Sequence, residues 1–301
     1  MSERKLAPAA LLAAAAFVAS LPAQAYCLTH GCNIQTDQCR PDRHGCVTEG
    51  PLLHWKSGCV SVDLQQDGSP KRDISYEAAH DVLVQAFAQW LNADCGGGQP
   101  PSITVSDYGP VTCRSPEYNQ DSPNANVVMF RDQDWPYKNA IDTLALTTLI
   151  FDAETGEIFD ADIEVNTFTS AMTTGKVGQR DVDLHSVLTH EVGHFLGLSH
   201  SDVALSTMEP SYSPGLTEMA TIEYDDQQGI CAALPPDRKP ETMSCDPRHG
   251  FSGECALTAT SCTVSGASPP GRGGWANAAW LLLGLSSRLR RKRLRPSSRR
   301  P

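Results

Sequence analysis

The chain has 301 residues, 40% of them hydrophobic and 20% charged, with eleven cysteines and a formal net charge of −11. That composition excludes wholesale disorder, and the length is ample for one large domain or two small ones. So many cysteines exclude an ordinary reduced cytosolic protein and point to an oxidising compartment.

In chain order, Arg4 and Lys5 precede an apolar run from Leu6 to Leu21 that ends at Ala23-Gln24-Ala25. This is the order of a secretory signal peptide over residues 1–25, with the mature chain starting at residue 26. Residues 26–50 hold Cys27, Cys32, Cys39 and Cys46 with little apolar periodicity, and read as a disulfide-stapled extension. The pairing cannot be deduced from spacing. Cys59 to Leu64 alternates like a strand. Ser75 caps a predicted helix to Asn92, whose stripe is Ala79, Val82, Leu83, Ala86, Phe87 and Trp90. Ser102 to Val105 and Asn126 to Phe130 read as short strands, and Thr143 to Phe151 as a longer one. A turn at Glu154-Thr155-Gly156 leads into a strand from Glu157 to Asn166. There Phe159, Ala161, Ile163 and Val165 share one face and Asp160, Asp162 and Glu164 the other. Asp183 caps a further helix over Leu184–Leu196. The order predicts an α/β (α+β) domain with a twisted mixed sheet.

The C-terminal part divides into residues 237–268, a cysteine-containing linker, and residues 269–301. The latter begin Pro/Gly-rich, turn apolar from Trp275 to Leu285, and end in eight basic residues from Arg288 to Arg300. The apolar segment is short for a membrane span, which needs about 20 residues. With +1 in residues 1–25 and +9 in residues 263–301 set aside, the chain's −11 becomes −21 for the body. So acidic a body repels phosphate backbones and excludes nucleic acid as a partner. Membrane contact is expected only through the tail, and the protein is expected to be a monomer.

The chemistry sits in His190-Glu191-Val192-Gly193-His194-Phe195-Leu196-Gly197-Leu198-Ser199-His200. On a helix His190 and His194 stack on one face and reach one ion. Gly197 stops the helix, and the chain turns back to deliver His200. Three imidazoles leave the fourth tetrahedral position open, the pattern of a catalytic zinc. Glu191, beside the metal and not on it, is the expected general base for a zinc-activated water.

This stretch resembles the metzincin zinc proteases, and the details resemble matrixins, the family of matrix metalloproteinases. Met208 stands where the family's methionine turn lies beneath the zinc. Pro210 and Tyr212 match its Pro-x-Tyr pocket wall, and Asp225-Asp226-Gln227-Gln228-Gly229-Ile230 its last catalytic-domain helix. The resemblance implies a zinc metallopeptidase domain over residues 51–236, an active-site helix, a C-terminal helix, and protein or peptide substrates. The animal enzymes' second zinc is not expected, since the fourth and fifth strands lack histidine. Asp152, Glu154, Asp160, Asp162 and Glu164 could hold calcium, although a solvated acidic strand face is the plainer expectation. The tail resembles the C-terminal sorting tails of myxobacterial surface proteins, with Cys262 at the modified position. An endopeptidase secreted or anchored at the cell surface is therefore expected. The alternative is a catalytically silent module of the same fold, serving adhesion or inhibition.

Overall fold

The computed structural model describes residues 25–32, 39–254, 278–283 and 286–287, the last two stretches as backbone only. Residues 1–24 of the expected signal segment (1–25), Cys262, the Pro/Gly spacer and the Arg-rich block lie outside the described residues. The elements begin with β1 (Cys27–Leu28), β2 (Cys59–Ser61) and β3 (Asp63–Leu64), followed by α1 (Tyr76–Leu91). Then come β4 (Thr104–Ser106), β5 (Val127–Phe130), β6 (Ala145–Asp152), β7 (Ile158–Val165), β8 (Met172–Thr173) and β9 (Val182–Asp183). After α2 (Leu184–Phe195) follow β10 (Leu198–Ser199), β11 (Ser211–Tyr212) and α3 (Tyr224–Ala233). The tail supplies β12 (Ala278–Leu283) and β13 (Ser286–Ser287).

The main sheet has the order β12-β6-β7-β5-β3 and is mixed. Strand β6 runs antiparallel to both β7 and β12, while β7, β5 and β3 are parallel. Helices α1 and α2 pack together, and their apolar faces join Leu149, Ala161, Ile163 and Val165 in one core. The predicted α1 stripe is buried throughout, and the Ser75 side chain accepts a bond from Ala78 N–H, satisfying one exposed donor of the first turn. Cys59–Leu64 divides into β2 and β3 because the chain changes partner, from β4 to β5, at Val62.

The acidic face of β7 is not solvated, contrary to expectation. Asp160, Asp162 and Glu164 are all buried. Asp162 accepts bonds from Glu117 N–H and Val127 N–H, and Glu164 from the Arg131 guanidinium and the Tyr137 hydroxyl. The connections on both sides of β5 therefore fold over that face. Burial pushes the Asp162 carboxyl up to about 8 and raises that of Asp160 as well.

Four disulfides join Cys27 to Cys46, Cys32 to Cys39, Cys59 to Cys245 and Cys95 to Cys231. Cys113 is disulfide-bonded too. Residues 237–254, read from sequence as linker, are tied to the domain. The Arg238 guanidinium donates to the carbonyls of Trp55, Ser57 and Ser102, and Phe251 packs against Val111, Ala125, Val127 and Met129. Among the described residues no helix is long and apolar enough to cross a membrane.

Candidate metal centre

Helix α2 starts where Asp183 turns its carboxylate back to accept from Ser186 N–H. Its carbonyls also receive two indoles: Trp90 Nε1 donates to Thr189 O at 2.8 Å and Trp55 Nε1 to Phe195 O at 2.7 Å. Gly193 has no room for a side chain, because a Cβ there would lie 2.3 Å from Met208 Sδ and 2.9 Å from the Trp90 ring. That close approach lets Met208, itself buried, sit directly against the helix carrying the histidines. Beyond Phe195 the chain reverses at Gly197, whose φ of +102° suits glycine.

One ring atom from each of His190, His194 and His200 falls within 4.8 Å of the others, the sole such grouping of metal-ligating side chains among the described residues. His190 and His194 are buried and His200 is half-buried. His190 Nδ1–H donates to Thr207 O at 2.6 Å, and His194 Nδ1–H to Leu198 O at 2.9 Å. Both bonds fix the tautomer that leaves a lone pair on Nε2. His190 Nε2 is buried without a hydrogen-bond partner, an orphaned acceptor that a metal ion satisfies. His194 Nε2 and His200 Nε2 lie 3.3 Å apart, and two nitrogens on a tetrahedral zinc are separated by about 3.3 Å. Burial, with His200 nearby, pushes the His190 imidazole down to about 3, and burial also holds His194 well below its usual range. Both are neutral at pH 7, as ligands must be. The residues present fit a zinc ion.

Glu191 is fully buried, and its Oε2 accepts from the Thr147 hydroxyl of β6 at 2.6 Å. The helix thus presents its carboxylate toward β6. Beneath the histidines, Asp226 of α3 accepts from the backbone N–H groups of Thr207, Met208 and Glu223 at 2.7, 3.0 and 2.9 Å. Burial raises the Asp226 carboxyl, and these donors partly offset it. Asp226 therefore fixes both the Met208 turn and the carbonyl that orients His190. Tyr212 is buried. Its hydroxyl donates to Leu216 O and accepts from Asp183 N–H at 3.0 Å, bolting the Pro210–Tyr212 segment to the start of α2. Sequence reasoning missed the roles of Thr147 and Asp226. The Asp-Asp-x-x-Gly-Ile motif marked the second as special without saying for what; nothing local marked the first.

None of the other described histidines joins that grouping, although His44 lines the same surface cavity as His200. His44 pairs with Asp202 and His80 with Asp107, and His30 and His54 bond to backbone carbonyls.

The Matrixin family profile matches residues 117–233. Metalloendoproteinase 1-MMP of Arabidopsis thaliana is 43% identical over 58 residues, 19% of this chain and 16% of that protein. Matrix metalloproteinase-25 of Mus musculus is 26% identical over 181 residues, 58% of this chain and 26% of that protein. Metalloendoproteinase 1 of Glycine max is 36% identical over 80 residues, 27% of this chain and 23% of that protein. The chain thus spans about a quarter or less of the length of these relatives. The three histidines, Glu191, Thr147, Met208, Tyr212 and Asp226 all fall inside the matched segment, so the part of the chain that holds the site is similar to the matrixin family.

Proposed function

We propose that the chain is an exported zinc metalloendopeptidase that hydrolyses internal peptide bonds of proteins, with the catalytic unit within residues 51–236. The observation that carries this is the convergence of three histidine ring nitrogens, two tautomers fixed by backbone carbonyls, beside the buried Glu191. His190, His194 and His200 would hold the zinc. Bound there, zinc supplies a Lewis acid that polarises a carbonyl and acidifies water.

The rest is the work of the chain's own residues. Glu191 takes the proton of the attacking water and returns it to the leaving amine. Thr147, donating to one carboxylate oxygen, keeps Glu191 in place. With the tail strand β12 off it, the side of β6 away from β7 would take an extended peptide, a recognition mode that reads main chain first and side chains second. Pro210 and Tyr212 form the wall of the pocket that sorts those side chains, and the Tyr212 bonds make that wall rigid. The disulfides support export to an oxidising compartment, as does the signal-like sequence of residues 1–25.

The test is incubation of the purified zinc-loaded chain with a denatured protein, with and without chelator, beside a Glu191→Ala control. Fragments should form only in the untreated parent. Equal turnover in the control would sink the mechanism, and zinc binding without any proteolysis would leave the silent surface module.

A further inference from the structure

The outer edge of β6 is already paired. Strand β12, from the C-terminal tail, lies antiparallel along it from Ala278 opposite Asp152 to Leu283 opposite Thr147. Without β12, β6 would be the edge of the main sheet. The tail then reaches the other side of the site: Ser286 and Ser287 run parallel to Ser211 and Tyr212. Two neighbouring stretches of the tail are therefore held, one on each of the backbone edges that frame the metal centre. Its placement along them is specific. Strand β12 ends opposite Thr147, the residue bonded to the Glu191 carboxylate, and β13 begins opposite Ser211, next to Pro210. Only Gly284 and Leu285, both outside the described residues, separate the two pairings. Backbone pairing on both sides is how an extended peptide is gripped by strand addition. Charge adds to the hold, because the eight basic residues from Arg288 onward follow a body of net charge −21.

We propose that the paired tail stretches, residues 278–283 and 286–287, are autoinhibitory: by occupying the backbone edges of β6 and β11 they keep protein substrates out of the peptide groove of their own domain. This rests on reading the cleft as a peptide groove. A tethered segment meets the groove at an effective concentration of about millimolar, so a substrate binding in the micromolar range must compete against it. The inhibition is relieved when the tail is drawn off the edge or removed.

The decisive experiment reads occupancy without using activity. Full-length protein carrying Glu191→Ala, which keeps the tail from being cut, is compared with the same protein carrying Leu281→Pro and Leu282→Pro in addition. In an antiparallel ladder one of two adjacent residues points its N–H at the partner strand, so the pair of prolines removes at least one donor whichever it is. Amide hydrogen exchange in residues 147–152 and 211–212 should be ~10-fold or more faster in the proline protein, consistent with loss of a tethered occupant. Exchange in β7 and α2 should be the same in both, which shows that the domain still folds. A synthetic peptide of residues 276–289 at millimolar concentration should restore the protection. Equal exchange along β6 in the two proteins, or no protection by the peptide, overturns the proposal.

A parallel comparison with Glu191 intact separates this proposal from the catalytic reading. The proline chain should cleave a denatured protein with kcat/KM ~10-fold or more above the parent, and the peptide should raise its KM while leaving kcat unchanged. Equal proteolysis by both chains overturns the autoinhibition. Protection of β6 with proteolysis by neither chain supports occupancy and sinks the catalytic reading instead.

Discussion

Glu191 and His200 differ in what they should take with them when removed. Glu191 touches Thr147 and is not among the three converging nitrogens. Glu191→Ala should leave zinc content and fold nearly intact while proteolysis falls by at least ~10²-fold, the usual contribution of a general base. His200→Ala should lose zinc and activity together, because two imidazoles and solvent make a poor site. Metal analysis beside a proteolysis assay separates the two outcomes, and a Glu191→Ala chain that loses its zinc would contradict the division of roles. The convergence of the three histidines could be read from sequence because all three lie on one helix and the turn after it, within eleven residues. Their supports could not. Thr147 is 44 residues from Glu191 in sequence, and Asp226 is 19 from Thr207 and 18 from Met208. Contacts of that kind are fixed by topology and leave no local pattern.

At the scale of elements, the helix and the turn beneath it meet where Gly193 makes room for Met208. The contact is one of packing, with no chemical part for the sulfur. Met208→Leu keeps the volume and should cost under about 1.5 kcal/mol, with measurable activity retained. Thermal unfolding and turnover of that variant check the assignment, and abolished catalysis in a folded, zinc-bound chain would contradict it. Helix α1 was legible because cap and stripe agree: Ser75 bonds Ala78 N–H and the apolar positions face the core. The β7 acids were misread for a definite reason. Alternation says that Asp160, Asp162 and Glu164 share a face, but not what covers it. The cover comes from either side of β5: Glu117 N–H from the connection before it, Val127 N–H from its first residue, and Arg131 and Tyr137 from the connection after it. Nor could a pattern of apolar residues from Trp275 onward reveal that β12 pairs with β6.

For the whole molecule, burial of acids sets a pH dependence. Asp63 is buried with one carboxylate oxygen lacking a partner, and burial pushes its carboxyl from 3.8 to about 7. A carboxyl raised on folding binds its proton more tightly in the native state. Its contribution to stability is therefore full below pH 3.8 and is lost as pH rises through about 7. The depressed histidines act with the opposite sign but are common to parent and variant. The unfolding midpoint of Asp63→Asn minus that of the parent, both metal-free, should therefore climb between pH 4 and 8. A difference flat across that range would contradict the assignment. The tail matters at this scale as well. If processing near Cys262 takes place as the sorting reading has it, the same cut removes β12, so address and activation would be settled by one event. Intact mass from the native host shows whether the mature C-terminus lies there. A different safeguard lies at the other end. Strand β1 pairs with β10, Cys27 facing Ser199, just before His200, and the Cys27–Cys46 bridge anchors that arm. If the chain is exported as proposed, the first residues of that arm to emerge would wait for nearly the whole domain before they meet their partner strand. On that reading His200, the proposed third ligand, would be braced only after delivery and oxidation are complete, and a half-exported chain would be a poor protease that does not endanger the machinery moving it.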